Sequence, residues 1–191
     1  MLNEPIQILG IPGSLRKASY NHAALVAAQD LLPVGVKLEI ADLKDLPLFN
    51  EDLETSPTPA LTAFKQKIRA ADAILFATPE YNYSIPGVLK NAIDCASRPY
   101  GDSAWFGKPV AVMGASVGRF GSARAQYHLR QTFISLNMLP INQPEVMVGN
   151  SAKAFDEQGR LIDIESQSLI RQLIENLASW ARMLRNQSTR T

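Results

Sequence analysis

The run Ala73-Ile74-Leu75-Phe76-Ala77 is apolar at every position. A strand with one wet face alternates apolar and polar residues, so a strand without alternation must be covered on both sides, as central strands of helix-flanked parallel sheets are. That segment sets the class. Around it the chain repeats one pattern, a short apolar run followed by helical spacing: 5–9 then 20–32, 36–41 then 58–71, 73–77 then 88–96, 110–113 then 123–136, and 145–148 then 163–184. Leu61, Phe64 and Ile68 share one helical face, and Leu169, Leu173, Leu177 and Trp180 another, both read as core. Five strands alternating with five helices predict an α/β three-layer sandwich with a five-stranded parallel sheet, right-handed crossovers and the order 2-1-3-4-5. At 191 residues the chain reads as one domain over 1–185 with a polar tail over 186–191.

Composition narrows the function. With 46% hydrophobic and 19% charged residues the chain is neither disordered nor fibrous. A net charge of +1 gives no pull toward nucleic acid or an anionic membrane, and no acidic surface for docking basic partners. The single cysteine, Cys95, rules out an internal disulfide and any multi-cysteine metal site, and His22 and His128 stand apart. No secretion signal or membrane-spanning run is present, so a cytoplasmic setting is expected.

Three loops fall at the carboxyl ends of predicted strands, the rim where open α/β sheets bind ligands. The first, 10–21, combines glycines, serines, Arg16 and Lys17 before a helix; such a loop offers amides, hydroxyls and the positive helix end to a phosphate. It matches neither the Walker spacing nor Gly-x-Gly-x-x-Gly, so a terminal monophosphate suits it better than a pyrophosphate. The second, 78–87, sets Tyr81, Asn82, Tyr83 and Ser84 between prolines; the third, 114–121, is glycine-rich. A further long loop over 42–59 carries Leu46, Leu48 and Phe49, the mark of a loop packed over something.

Gly13, Ser14, Arg16, Ser19 and Asn21 spell Gly-Ser-x-Arg-x-x-Ser-x-Asn, and residues 79–94 spell Pro-Glu-Tyr-Asn-x-Ser-x-Pro-Gly-x-Leu-Lys-Asn-Ala-Ile-Asp without departure. In these motifs the chain resembles the NAD(P)H-dependent FMN reductases of flavodoxin-like fold, a group that includes quinone, azo-dye and chromate reductases. The resemblance implies FMN as cofactor and NADPH or NADH as co-substrate. It implies that Ser14, Arg16, Ser19 and Asn21 hold the phosphate, that Pro79, Glu80, Tyr81, Asn82, Tyr83 and Ser84 wrap the ribityl chain and ring edge, and that Ser116 and Gly118 flank the ring. The flavin N5 carries the hydride, so no catalytic side chain is required. Small-molecule electron acceptors take the electrons in ping-pong order, and a homodimer or homotetramer is implied. Tyr81, Tyr83, Trp105 and Phe120 form a candidate aromatic surface near the ring, and Arg16, Lys17 and Arg119 are candidate contacts for a 2′-phosphate. Two other functions fit a chain of this class: a flavodoxin-like electron carrier and a flavin-free binding module.

Overall fold

A computed structural model describes residues 4–188, so the end of the expected tail, 189–191, lies outside the described residues. Strand β3 (Ala73–Ala77) is buried at every position, as its unbroken apolar run requires. It pairs in parallel with β1 (Ile6–Pro12) on one side and β4 (Pro109–Ala115) on the other. Strand β2 (Val36–Ile40) adds to the outer edge of β1, and β5 (Leu139–Pro140) and β6 (Val146–Val148) both add to β4. The order is β2-β1-β3-β4-β5.

Alternation along the strands sorts the core onto two faces. Ile6, Ile8, Ala73 and Leu75 meet α1 (Tyr20–Asp30) and α6 (Ile164–Ser188) on one face. Leu9, Ile11, Ile74 and Phe76 meet α2 (Pro59–Ala70), α3 (Gly87–Ala96) and α4 (Ala123–Ser135) on the other. Local signals start the helices: Ser19 accepts from the His22 N–H at the head of α1, and Thr58 from the Leu61 N–H at the head of α2. Pro86 precedes α3 as its cap residue, one position earlier than the first-turn role proline often takes.

Four particulars depart from the sequence reading. Strands β1 and β4 run longer than their apolar runs, so the first loop begins at Gly13, and Gly114 and Ala115 belong to the sheet. The single last strand expected over 145–148 is two pieces, β5 against Pro109 and Val110 and β6 against Met113 to Ala115. Pro140 and Pro144 have no N–H to give a ladder, which accounts for the gap between them. A short helix α5 (Ser151–Ala154) follows β6. In α6 the buried stripe is Ile170, Leu173, Ile174, Leu177, Ala178 and Ala181, while Leu169 is partly buried and Trp180 half-buried with its indole N–H on the Leu139 carbonyl at 3.1 Å.

Trp105, expected near the ring, is core instead. It is fully buried, with ring centroids 5.9 Å from Phe64 and 5.7 Å from Phe76. Its indole N–H donates to the Ile93 carbonyl at 3.0 Å. An indole buries more apolar area than any other side chain once its one donor is satisfied, and the space beneath α2 and α3 provides both.

Candidate functional site

The loops after β1, β3 and β4 leave the same end of neighbouring strands and enclose one cavity of about 170 Å³. Its wall contains Ser14, Arg16, Ser19 and Asn21 from the first loop and α1, Pro79, Glu80 and Tyr81 from the second loop, and Ala115, Ser116 and Val117 from the third. Asn82, Tyr83, Ser84 and Gly118 stand on the turns beside it rather than in its wall. Tyr81, Tyr83 and Phe120 are exposed there, 50%, 67% and 63%, an accessible aromatic rim.

The first loop is rich in unused donors. The Arg16 N–H donates to Ser14 Oγ at 3.2 Å, and the Ser19 N–H to the Arg16 carbonyl at 3.1 Å. The amides of Leu15, Lys17 and Ala18 have no partner among the described residues, and Arg16 has no acidic partner there, only the Tyr20 ring 5.6 Å away. Free amides at a helix head beside two hydroxyls and an unpaired guanidinium form a receptor for a phosphate dianion.

Asn21 has a different engagement. Strand β3 ends opposite Met113, and β4 runs on to Ala115 with β6 on its far side but no strand on the side that β3 has left. There the Asn21 carboxamide accepts from the Ala115 N–H at 2.8 Å and donates to the Ala115 carbonyl at 2.9 Å, standing in for the missing strand. The buried Asn21 thereby ties the first loop to the third.

The second loop closes on itself and on α4. Tyr81 and Ser84 exchange both backbone hydrogen bonds at 3.0 Å, with Asn82 and Tyr83 at φ 50 and 67 between them. The amides of Asn82 and Tyr83 have no partner among the described residues. The Glu80 carboxylate turns away from the turn to accept from the Arg124 and Ala125 N–H groups at 3.1 and 3.4 Å and to pair with the Arg124 guanidinium. That hydrogen-bonded pairing raises the Arg124 pKa above its usual range. Sequence reasoning missed Arg124, yet it left a sign: a cation in the first turn of a helix opposes the helix dipole unless an anion covers it.

The third loop is braced from behind. Ser116 donates its N–H to the Val148 carbonyl at 3.0 Å, and its own carbonyl accepts from Ser151 N–H and Oγ at 3.0 and 2.8 Å. The Gly118 carbonyl accepts from the Asn150 N–H at 3.1 Å.

A larger cavity of about 330 Å³ lies under the long loop between α2 and α3. It shares no residue with the three-loop cavity, and its ionic groups satisfy one another: Lys65 and Arg69 pair with Asp102 at 2.9 and 2.6 Å, and Arg98 with Glu54 at 2.5 Å. The convergent, donor-rich site is the smaller one.

Comparison with known proteins gives the family of the chain. The family model for NADPH-dependent FMN reductases matches residues 6–153. The chain belongs to this family. An NAD(P)H-dependent FMN reductase of Pseudomonas aeruginosa is 55% identical over 96% of this chain and 100% of its own length. A quinone reductase of Pseudomonas putida is 42% identical over 96% of this chain and 99% of its own. The solved structure of FerB, a flavoenzyme NAD(P)H:(acceptor) oxidoreductase from Paracoccus denitrificans, superimposes with a TM-score of 0.85 at 34% identity, covering 93% of this chain and 98% of that one. Membership makes this FMN reductase an oxidoreductase with a flavin cofactor and a nicotinamide electron donor. The residues present fit FMN: the first loop offers a phosphate unbonded amides and a free cation, and the second offers two free amides at a stiff turn.

Proposed function

We propose that this reductase passes electrons from NAD(P)H to small oxidants, quinones foremost and also azo compounds, free flavins and metal oxyanions such as chromate, with FMN seated in the three-loop cavity. The observation that carries the reading is the convergence of the three loops on one cavity whose first wall is a set of unbonded amides, hydroxyls and an unpaired guanidinium. Ser14, Arg16 and Ser19 hold the phosphate, with Asn21 fixing the wall behind them. Residues Pro79 to Ser84 border the ribityl chain and ring edge, and Ser116 and Gly118 the other side. Bound FMN supplies the hydride chemistry. The chain's part is to hold donors where negative charge develops, through the free amides of Asn82 and Tyr83, and to leave one face open between Tyr81 and Phe120. Reductant and oxidant use that open face in turn, which gives parallel initial-rate lines. The reading extends to a cytoplasmic homodimer or homotetramer.

The test is a titration followed by a reduction. FMN added to the flavin-free chain saturates at one per chain; NADPH or NADH bleaches it in air-free buffer, and a quinone restores the colour. Arg16→Ala weakens FMN binding by about 1.5–3 kcal/mol, the worth of one charge-assisted contact. Unchanged affinity in a folded variant refutes the phosphate assignment, and intersecting initial-rate lines refute the alternation.

A further inference from the structure

The turn between β3 and α3 is held in a conformation that suits Asn82 but that Tyr83 does not favour. Asn82 and Tyr83 both lie in the left-handed region, at φ 50 and 67. A two-residue turn of this kind prefers glycine at its second position, and an aromatic residue there is opposed by its own Cβ. Asn82 suits its own position and does nothing for the strain at Tyr83. The compensation comes from α4.

Three contacts join the turn to that helix. Glu80, just before the turn, accepts from the first amides of α4 and pairs with the Arg124 guanidinium. The same guanidinium lies 3.7 Å from the centroid of the Tyr83 ring and 5.4 Å from that of Phe120. Ser84, closing the turn, shares a hydrogen bond of 3.1 Å with His128 Nδ1 one helical turn further on. Arg124 is thus clamped between a carboxylate whose side chain is 8% exposed and the face of the strained tyrosine. A planar guanidinium can pair with one and stack on the other; an ammonium cannot do both.

We infer that Arg124 is a positioning residue for the flavin: by stacking on Tyr83 while anchored to Glu80, it keeps the free Asn82 and Tyr83 amides in the single arrangement that meets the ring edge. The inference rests on the function proposed above and adds a residue outside the cavity wall to the machinery of that site. It separates the two ends of the cofactor. Loss of Arg124 frees the turn that meets the ring and leaves the phosphate cradle, built on the first loop and α1, untouched.

The experiment compares FMN with riboflavin, which lacks the phosphate, by fluorescence titration of wild type, Arg124→Gln, Arg124→Lys and Tyr83→Leu, with circular dichroism and thermal melting of the flavin-free chains as folding controls. In Arg124→Gln both ligands lose affinity about tenfold, and their affinity ratio stays at the wild-type value. Arg124→Lys does not rescue. The two-electron potential of bound FMN falls, because the reduced form depends more on the turn amides; a tenfold greater loss for the reduced form corresponds to about 30 mV. Arg124→Gln combined with Tyr83→Leu costs no more than either alone, since both break one clamp. If Arg124→Gln does not fold, Tyr83→Leu carries the same expectations. Wild-type affinity and potential in Arg124→Gln overturn the inference, as does a loss of thermal stability with both unchanged. A shift in the FMN to riboflavin ratio overturns it too, because it puts Arg124 at the phosphate. A wild-type chain that binds no FMN overturns the function proposed above, and this inference with it.

Discussion

The substitution Asn21→Leu tests how the site is assembled. Asn21 is 3% exposed, and its carboxamide satisfies both backbone groups of Ala115 at 2.8 and 2.9 Å where β4 has outrun β3. Leucine has nearly the same shape, so little cavity forms, and the cost is that of orphaning one buried N–H and one buried carbonyl. At roughly 1–3 kcal/mol for each, the sum centres near 4 kcal/mol, a drop of roughly 8–16 °C in Tm for a chain of this size. The measurement belongs on flavin-free protein, by thermal and urea unfolding, because a bound ligand adds its own stabilisation. Asn21→Asp separates the two bonds: the carboxylate still accepts from the amide but meets the carbonyl with charge against dipole. A loss below about 1 kcal/mol in Asn21→Leu would mean that water or a shifted loop takes over both groups, and the account of Asn21 as a substitute strand would be wrong.

Two further outcomes follow from the fold. Gly121 sits at φ 54, and a Cβ there would lie 2.4 Å from the Met147 carbonyl carbon, so Gly121→Ala faces both strain and backbone overlap and should cost at least about 2 kcal/mol in urea unfolding; a loss under half of that would refute the packing of the third loop on β6. Asp163 caps α6 by accepting from the Ser166 N–H at 2.9 Å, and the Ser166 hydroxyl and amide hold its carboxyl below the usual carboxylate range. A lowered folded pKa contributes stability that is present above about pH 4 and lost as pH falls through the folded value, so Asp163→Asn, which can still cap, should flatten the acid limb of the stability curve below pH ~4 while Asp163→Ala loses about 1 kcal/mol at neutral pH. An acid limb unchanged in Asp163→Asn would refute the assignment.

Much of the architecture could be read from local pattern. The unbroken apolar run at Ala73–Ala77 identified the central strand, and the repeated strand-then-helix spacing yielded the sheet order, because both depend on periodicity along the chain. The three loops were legible as neighbours for the same reason: in a parallel sheet every strand-to-helix turn falls on one rim. What escaped was non-local. The bond from Asn21 to Ala115 spans 94 positions, and nothing near either residue announces it. The split of the last strand was signalled by Pro140 and Pro144, but pairing with different halves of β4 depends on how far β4 extends. Trp105 went to the core because packing beneath α2 and α3, not its position in a connection, decided its surroundings.

The bracing of the third loop has a mechanical consequence. Its strap to Asn150 and to Ser151 at the start of α5 pins it at Ser116 and Gly118. The stretch between Ser14 and Ser19, by contrast, is crossed by just two internal bonds among the described residues. The settling of the pocket as a guest arrives therefore falls chiefly at the end that receives the phosphate, while the opposite jaw behaves as an anvil.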